Sequence, residues 1–123
     1  MKNIIQKLIK HAIKEKRDID DCNINLEELK EMKKQGAILL DVRSPQEYLE
    51  KHIREAVLIP TYELNTKVEE RIKDKNKLII VYCLSGSRSK KAIKTLKKIG
   101  YTNLYHLKDG IEAYPEDDIF TTN

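Results

Sequence analysis

The chain has 123 residues, 40% of them hydrophobic and 36% charged, with 24 basic and 20 acidic side chains. That length suits one domain whose core needs no disulfide or metal staple. The composition is too apolar for a disordered chain and too charged for a membrane protein, and the longest apolar run, Leu78 to Leu84, is far shorter than a membrane span.

Polar residues interrupt the apolar stretch after Lys2, so no signal peptide is expected. Two cysteines make no disulfide framework, and no C-x-x-C or Cys/His cluster points to zinc. The expectation is a soluble, reduced, cytoplasmic domain with no membrane span, no metal and no cofactor. Charge is spread unevenly. From Lys75 to Lys108 there are nine basic residues and no Asp or Glu, which leaves 15 basic against 20 acidic residues elsewhere. Such a segment suits an anion: nucleic acid, a phosphate ester, a sulfur oxyanion or an acidic partner. It equally suits lysines coating a solvated helix face.

In chain order, Ile4, Leu8 and Ala12 with Ile5, Ile9 and Ile13 form one apolar stripe, which predicts a helix over 3–17. Residues 1–21 read as an amphipathic helical extension. It lacks aromatic anchors, so docking onto the domain or dimerising is preferred to lying on a membrane. The domain itself is placed at residues 22–118, with a tail over 119–123. Cys22 to Ile24 reads as a short edge strand. Asn25 caps the next helix, with Glu28 completing a capping box and Gly36 stopping it. Ala37 to Val42 is apolar on both faces, as in a buried parallel strand. Ser44, Pro45 and Glu47 open a short helix. Ala56 to Ile59 is a strand, and Leu64, Val68 and Ile72 predict a helix over 62–73.

Leu78 to Tyr82 gives the strongest strand signal. A loop of small residues follows, then an amphipathic helix through Ala92, Ile93, Leu96 and Ile99, closed by Gly100. Leu104 to Leu107 is the last strand, and a short helix follows Asp109-Gly110. Strands alternate with helices, which implies an α/β fold with a mostly parallel sheet and helices on both faces.

Cys83 stands where the best strand ends and a helix begins, the edge at which open α/β sheets bind ligands. Ser85, Gly86 and Ser87 can curl so that backbone N–H groups converge on an anion. The following helix adds its unpaired N–H groups and positive dipole end, and Arg88 adds a planar cation suited to oxyanions. A thiol held there is expected to ionise more readily than a free one. The opposing reading makes Cys83 the small buried end of a core strand.

The chain also carries an ordered series of elements. Leu40-Asp41-Val42-Arg43 precedes Glu47-Tyr48, His52-Ile53, Ala56 and Ile59-Pro60. Then come Cys83, the run Ser85-Gly86-Ser87-Arg88-Ser89, Gly100-Tyr101, Leu104-Tyr105 and Leu107-Lys108-Asp109-Gly110. From about Asn25 to Tyr114 this resembles a single-domain rhodanese-like sulfurtransferase. The resemblance implies a rhodanese-like three-layer fold around a five-stranded sheet. It implies a persulfide on catalytic Cys83, formed from thiosulfate or a similar small anionic donor and passed to a thiol or cyanide, or to a sulfur-relay protein. Leu84, Ser85, Gly86, Ser87 and Arg88 would bind the substrate, with the N–H groups of 84 to 88 holding the persulfide charge and Arg88 the donor's sulfonate. Asp41, Arg43 and Ser89 would support them.

Departures from the family pattern are Leu84 where a charged residue is frequent, Glu55 where glycine is frequent, and Ile111 where an aromatic is common. An apolar Leu84 should disfavour an anionic donor. Two further readings use the same fold: a non-catalytic interaction module, and a phosphatase or arsenate reductase. Four residues separate Cys83 from Arg88, one fewer than in related dual-specificity phosphatases, which favours sulfur over phosphorus.

Asp41 reads either as a hydrogen-bond partner of the cysteine loop or as a turn cap, and Arg43 as a donor-attracting charge or an ion-paired one. Glu47 reads as a helix cap, and His52 as structural in preference to a proton carrier. Cys22 reads as an inert edge residue in preference to a resolving thiol. His11 and His106 fit no pattern. Tyr82, Tyr101 and Tyr105 lie among lysines, but their place in or beside strands is read as core packing, so no nucleic-acid partner is expected.

Overall fold

The computed structural model describes residues 22–122. The helix expected over 3–17 therefore lies outside the described residues. Five strands form the central sheet: β1 (Asn23–Ile24), β2 (Ile38–Asp41), β4 (Val57–Leu58), β5 (Ile79–Tyr82) and β6 (Leu104–Leu107), in the order β1-β6-β5-β2-β4, with every pairing parallel. β5 lies at the centre and is buried along its whole length, as its unbroken apolar run requires.

Alternation along β5 divides the core. Ile79, Val81 and Cys83 face the helices α3 (Leu64–Arg71) and α4 (Ser87–Ile99), packing with Leu64, Val68, Ala92, Ile93 and Leu96. Ile80 and Tyr82 face the other way, toward Leu26, Leu29 and Met32 of α1 (Leu26–Lys34). Cys83 thus belongs to the α3/α4 face while sitting at the sheet's carboxyl edge.

Local chemistry sets the helix starts. Both expected capping boxes form: Asn25 with Glu28 on α1, and Ser44 with Glu47 on α2 (Pro45–Glu50), where Pro45 takes the first position. The helix expected over 62–73 divides into a 3₁₀ turn, Thr61–Glu63, followed by α3.

Two features differ from the expectations. The residues assigned to a tail include β7 (Phe120–Thr121), which pairs antiparallel with β3 (His52–Ile53), and Ile119 is buried. The folded unit therefore runs past residue 118. The helix expected after Gly110 is a single 3₁₀ turn, Ile111–Ala113. Glu55 holds the third place of the turn closed by Ala56 N–H donating to the Ile53 carbonyl at 3.0 Å, with φ 72°. Glycine takes that conformation without the ~1 kcal/mol that a Cβ costs there. Glu55 keeps the turn and adds an ion pair to Lys33 at 2.7 Å. Among the described residues no helix is long and apolar enough to cross a membrane.

Candidate active site

The loop after β5 wraps around the sulfur of Cys83. Sγ accepts N–H from Gly86 at 3.1 Å and from Ser89 at 3.3 Å. Ser89 is the third residue of α4, whose N-cap, Gly86, supplies no side-chain acceptor. The sulfur therefore fills the capping role, satisfying a first-turn N–H that would otherwise lack a partner. Both N–H groups point at the sulfur from the positive end of the helix. The expected amides were those of 84 to 88. The Ser89 amide is an addition, reached because one helical turn returns the chain toward its start.

Two contacts from the segment after β6 hold the loop. The Ile111 amide donates to the Cys83 carbonyl at 3.1 Å, and the Glu112 amide donates to the Leu84 carbonyl at 3.0 Å. Gly110, just before them, has φ 72°, and a Cβ there would lie 2.1 Å from the Leu84 oxygen. Gly86 has φ 99°, and a Cβ there would lie 2.0 Å from the Lys108 oxygen. Both glycines are needed because backbone meets backbone. Cys83 itself is 0% exposed, whereas Leu84 is 39% exposed at the rim.

Arg88 is not free in the cradle. Its guanidinium makes a bidentate pair with Glu47, with Nη1 donating to Oε1 at 2.7 Å and Nη2 to Oε2 at 2.9 Å. Hydrogen bonding to Arg88 holds the Glu47 carboxyl far below the usual range, at about 2. Glu47 is thus both the expected cap and the partner of Arg88. The Asp41 carboxylate is hydrogen-bonded to Arg43 and not to the cysteine loop. It is fully buried and accepts from the Arg43 amide at 2.9 Å and from the Arg43 guanidinium at 2.7 Å. Arg43 is equally buried and also donates to the Lys51 carbonyl at 2.6 Å. This pair braces the turn that places Ser44 and Glu47. His52 is structural, stacked on Tyr48 at 3.7 Å with Nδ1 on the Tyr48 carbonyl. Cys22 is buried in the same core group as Cys83.

Sequence reasoning missed His106. Its Nδ1 lies 2.9 Å from Ser89 Oγ, and its Nε2 lies 2.8 Å from Asn23 Oδ1. Ser89 Oγ in turn lies 3.6 Å from Cys83 Sγ. The available signal was a polar residue inside a strand that reads as wholly buried, since such a group must find partners. Burial, reinforced by the charge of Lys90, lowers His106 to about 4, so the ring is neutral at neutral pH. A histidine that is harder to protonate folded than unfolded makes stability rise with pH between about 4 and 6.5. The limiting slope is ~1.4 kcal/mol per pH unit for one proton. Denaturant unfolding from pH 4.5 to 7.5 is expected to show this slope as the difference between wild type and His106→Gln.

Comparison with known proteins bears on the chain as a whole. The family model described as the rhodanese-like domain matches residues 25–117, about three quarters of the chain. The chain belongs to the rhodanese-like family. Among curated relatives of this rhodanese-like chain, it is 35% identical over 65 residues to thiosulfate sulfurtransferase PspE of Escherichia coli (strain K12), covering 53% of this chain and 62% of that protein. It is 37% identical over 82 residues to the tRNA uridine(34) hydroxylase of Erwinia tasmaniensis, covering 63% of this chain and 23% of that protein. The chain thus spans less than two thirds of either relative. A rhodanese-related protein from Thermoplasma volcanium has a similar solved structure, with TM-score 0.70 and 28% identity over 82% of this chain and 98% of that one.

Proposed function

We propose that this chain is a sulfurtransferase that carries sulfane sulfur as a persulfide on Cys83. The observation that carries the reading is the Cys83 sulfur receiving the N–H groups of Gly86 and Ser89 at the start of α4. In the first half-reaction the Cys83 thiolate attacks the outer sulfur of thiosulfate or a similar donor. The donor's S–S bond breaks and sulfite leaves with the electron pair. In the second, a thiol or cyanide acceptor attacks the outer sulfur and the Sγ–S bond breaks, returning the thiolate. The same N–H groups stabilise the sulfur when it attacks and when it leaves.

Leu84 to Arg88 form the rim through which donor and acceptor pass, with Arg88 at the anion-binding edge. Because Cys83 is fully buried, this rim must part to admit one sulfur atom. Asp41 and Arg43 support the site from below by fixing the turn before α2, and Ser89 contributes its amide and hydroxyl. The test is initial-rate kinetics with thiosulfate and cyanide varied together. Parallel double-reciprocal lines are expected for two half-reactions sharing a covalent intermediate. Intersecting lines contradict the scheme.

A further inference from the structure

The Glu47 carboxylate occupies the paired Nη1 and Nη2 edge of the Arg88 guanidinium, the fork geometry that suits an oxyanion. We infer that Glu47 is a specificity-determining residue: it competes with the donor's oxyanion for Arg88, so the site favours singly charged, apolar-substituted sulfane donors over the thiosulfate dianion. The inference rests on the reading of Cys83 as the sulfur carrier.

Three observations carry it. The pair is bidentate, with both carboxylate oxygens on the guanidinium. Glu47 cannot readily follow Arg88 away, because its Oε1 also accepts the Ser44 amide at 3.0 Å while its own amide donates to Ser44 Oγ at 3.2 Å. The competitor is thereby anchored in the capping box of α2. The rim residue nearest the nucleophile in sequence is Leu84, exposed and apolar, which offers contact to an organic substituent and nothing to a second negative charge. Of the other charges, Lys91 lines the groove beside Arg88, and Lys90 lines the cleft on the His106 side of the loop. Neither has the planar fork that matches an oxyanion.

Glu47→Gln tests this in the full chain, since glutamine at the third helical position preserves the capping box while removing the charge. Thiosulfate, a dianion, is compared with benzenethiosulfonate, a monoanion whose attack releases benzenesulfinate in place of sulfite. The variant is expected to raise kcat/KM for thiosulfate about tenfold and to change that for benzenethiosulfonate less than about threefold. Equal changes for the two donors, or a loss with thiosulfate, would overturn the inference and make Glu47 a mere support for Arg88. A second readout needs no sulfur transfer: alkylation of Cys83 by anionic iodoacetate and neutral iodoacetamide, located by peptide mass. Glu47→Gln is expected to raise the iodoacetate-to-iodoacetamide rate ratio severalfold, and an unchanged ratio overturns the competition. If neither donor forms a persulfide, the sulfur-carrier reading and its donor preference fall together, whereas the alkylation ratio decides the charge competition separately.

Discussion

Cys83→Ser is expected to lower sulfur transfer by at least ~10³-fold while leaving a folded protein. The reaction needs a sulfur that can attack as an anion, hold an S–S bond and depart as a good leaving group. A serine hydroxyl does none of these at neutral pH. Its smaller oxygen still accepts from the Gly86 and Ser89 amides that now reach Sγ, so the start of α4 keeps a cap. The remaining penalty is a polar atom on the α3/α4 side of the core, of order 1–2 kcal/mol with its hydrogen bonds made. Thermal unfolding with a single cooperative transition, its midpoint lowered by several degrees, together with lost transfer, is the expected pair of results. A variant that retains a tenth of the activity contradicts the nucleophile assignment.

Gly110→Ala is expected to damage both stability and transfer, although it lies 27 positions from the nucleophile. The added Cβ would sit 2.1 Å from the Leu84 oxygen, 2.3 Å from its carbon and 2.5 Å from the Ser85 nitrogen. All three are backbone atoms, so no side chain can rotate away, and the loop must shift. Strain at positive φ and the displaced backbone together cost about 2–4 kcal/mol. A displacement near 1 Å at the cradle lowers transfer about 10²-fold. Gly36→Ala is the control: its φ is also positive, at 97°, but the new Cβ meets nothing within 4 Å. That substitution is expected to lose ~1–2 kcal/mol and no activity per folded molecule. Equal activity losses in the two variants would show that the cradle's position is not what Gly110 protects.

The sequence carried the architecture well where local chemistry decides it. Runs apolar on both faces, such as Leu78 to Tyr82, became the sheet's centre, and both capping boxes formed where their residue types stood. The setting of Cys83 was legible too, because a small-residue loop between a strand and a helix converges amides by its own geometry. What escaped was tertiary. β3 and β7 are two residues each and join across nearly 70 positions, far beyond any periodicity. The Glu47–Arg88 pair spans 41 positions and the Ser89–His106 contact 17, so neither spacing suggests proximity. Asp41 and Arg43 stand two apart, yet only the packed structure shows both buried and satisfied by each other. Arg88 shows the lesson most clearly: its charge was readable, but its partner was not.

The measurement that bears most directly on the account is the mass of the Cys83 peptide after incubation with thiosulfate and removal of small molecules. A gain of one sulfur atom, about 32 Da, is expected on Cys83, lost again on adding cyanide as thiocyanate appears. An unmodified Cys83 after thiosulfate alone, in a preparation that does transfer sulfur to cyanide, or a sulfur adduct found on Cys22 alone, would contradict it.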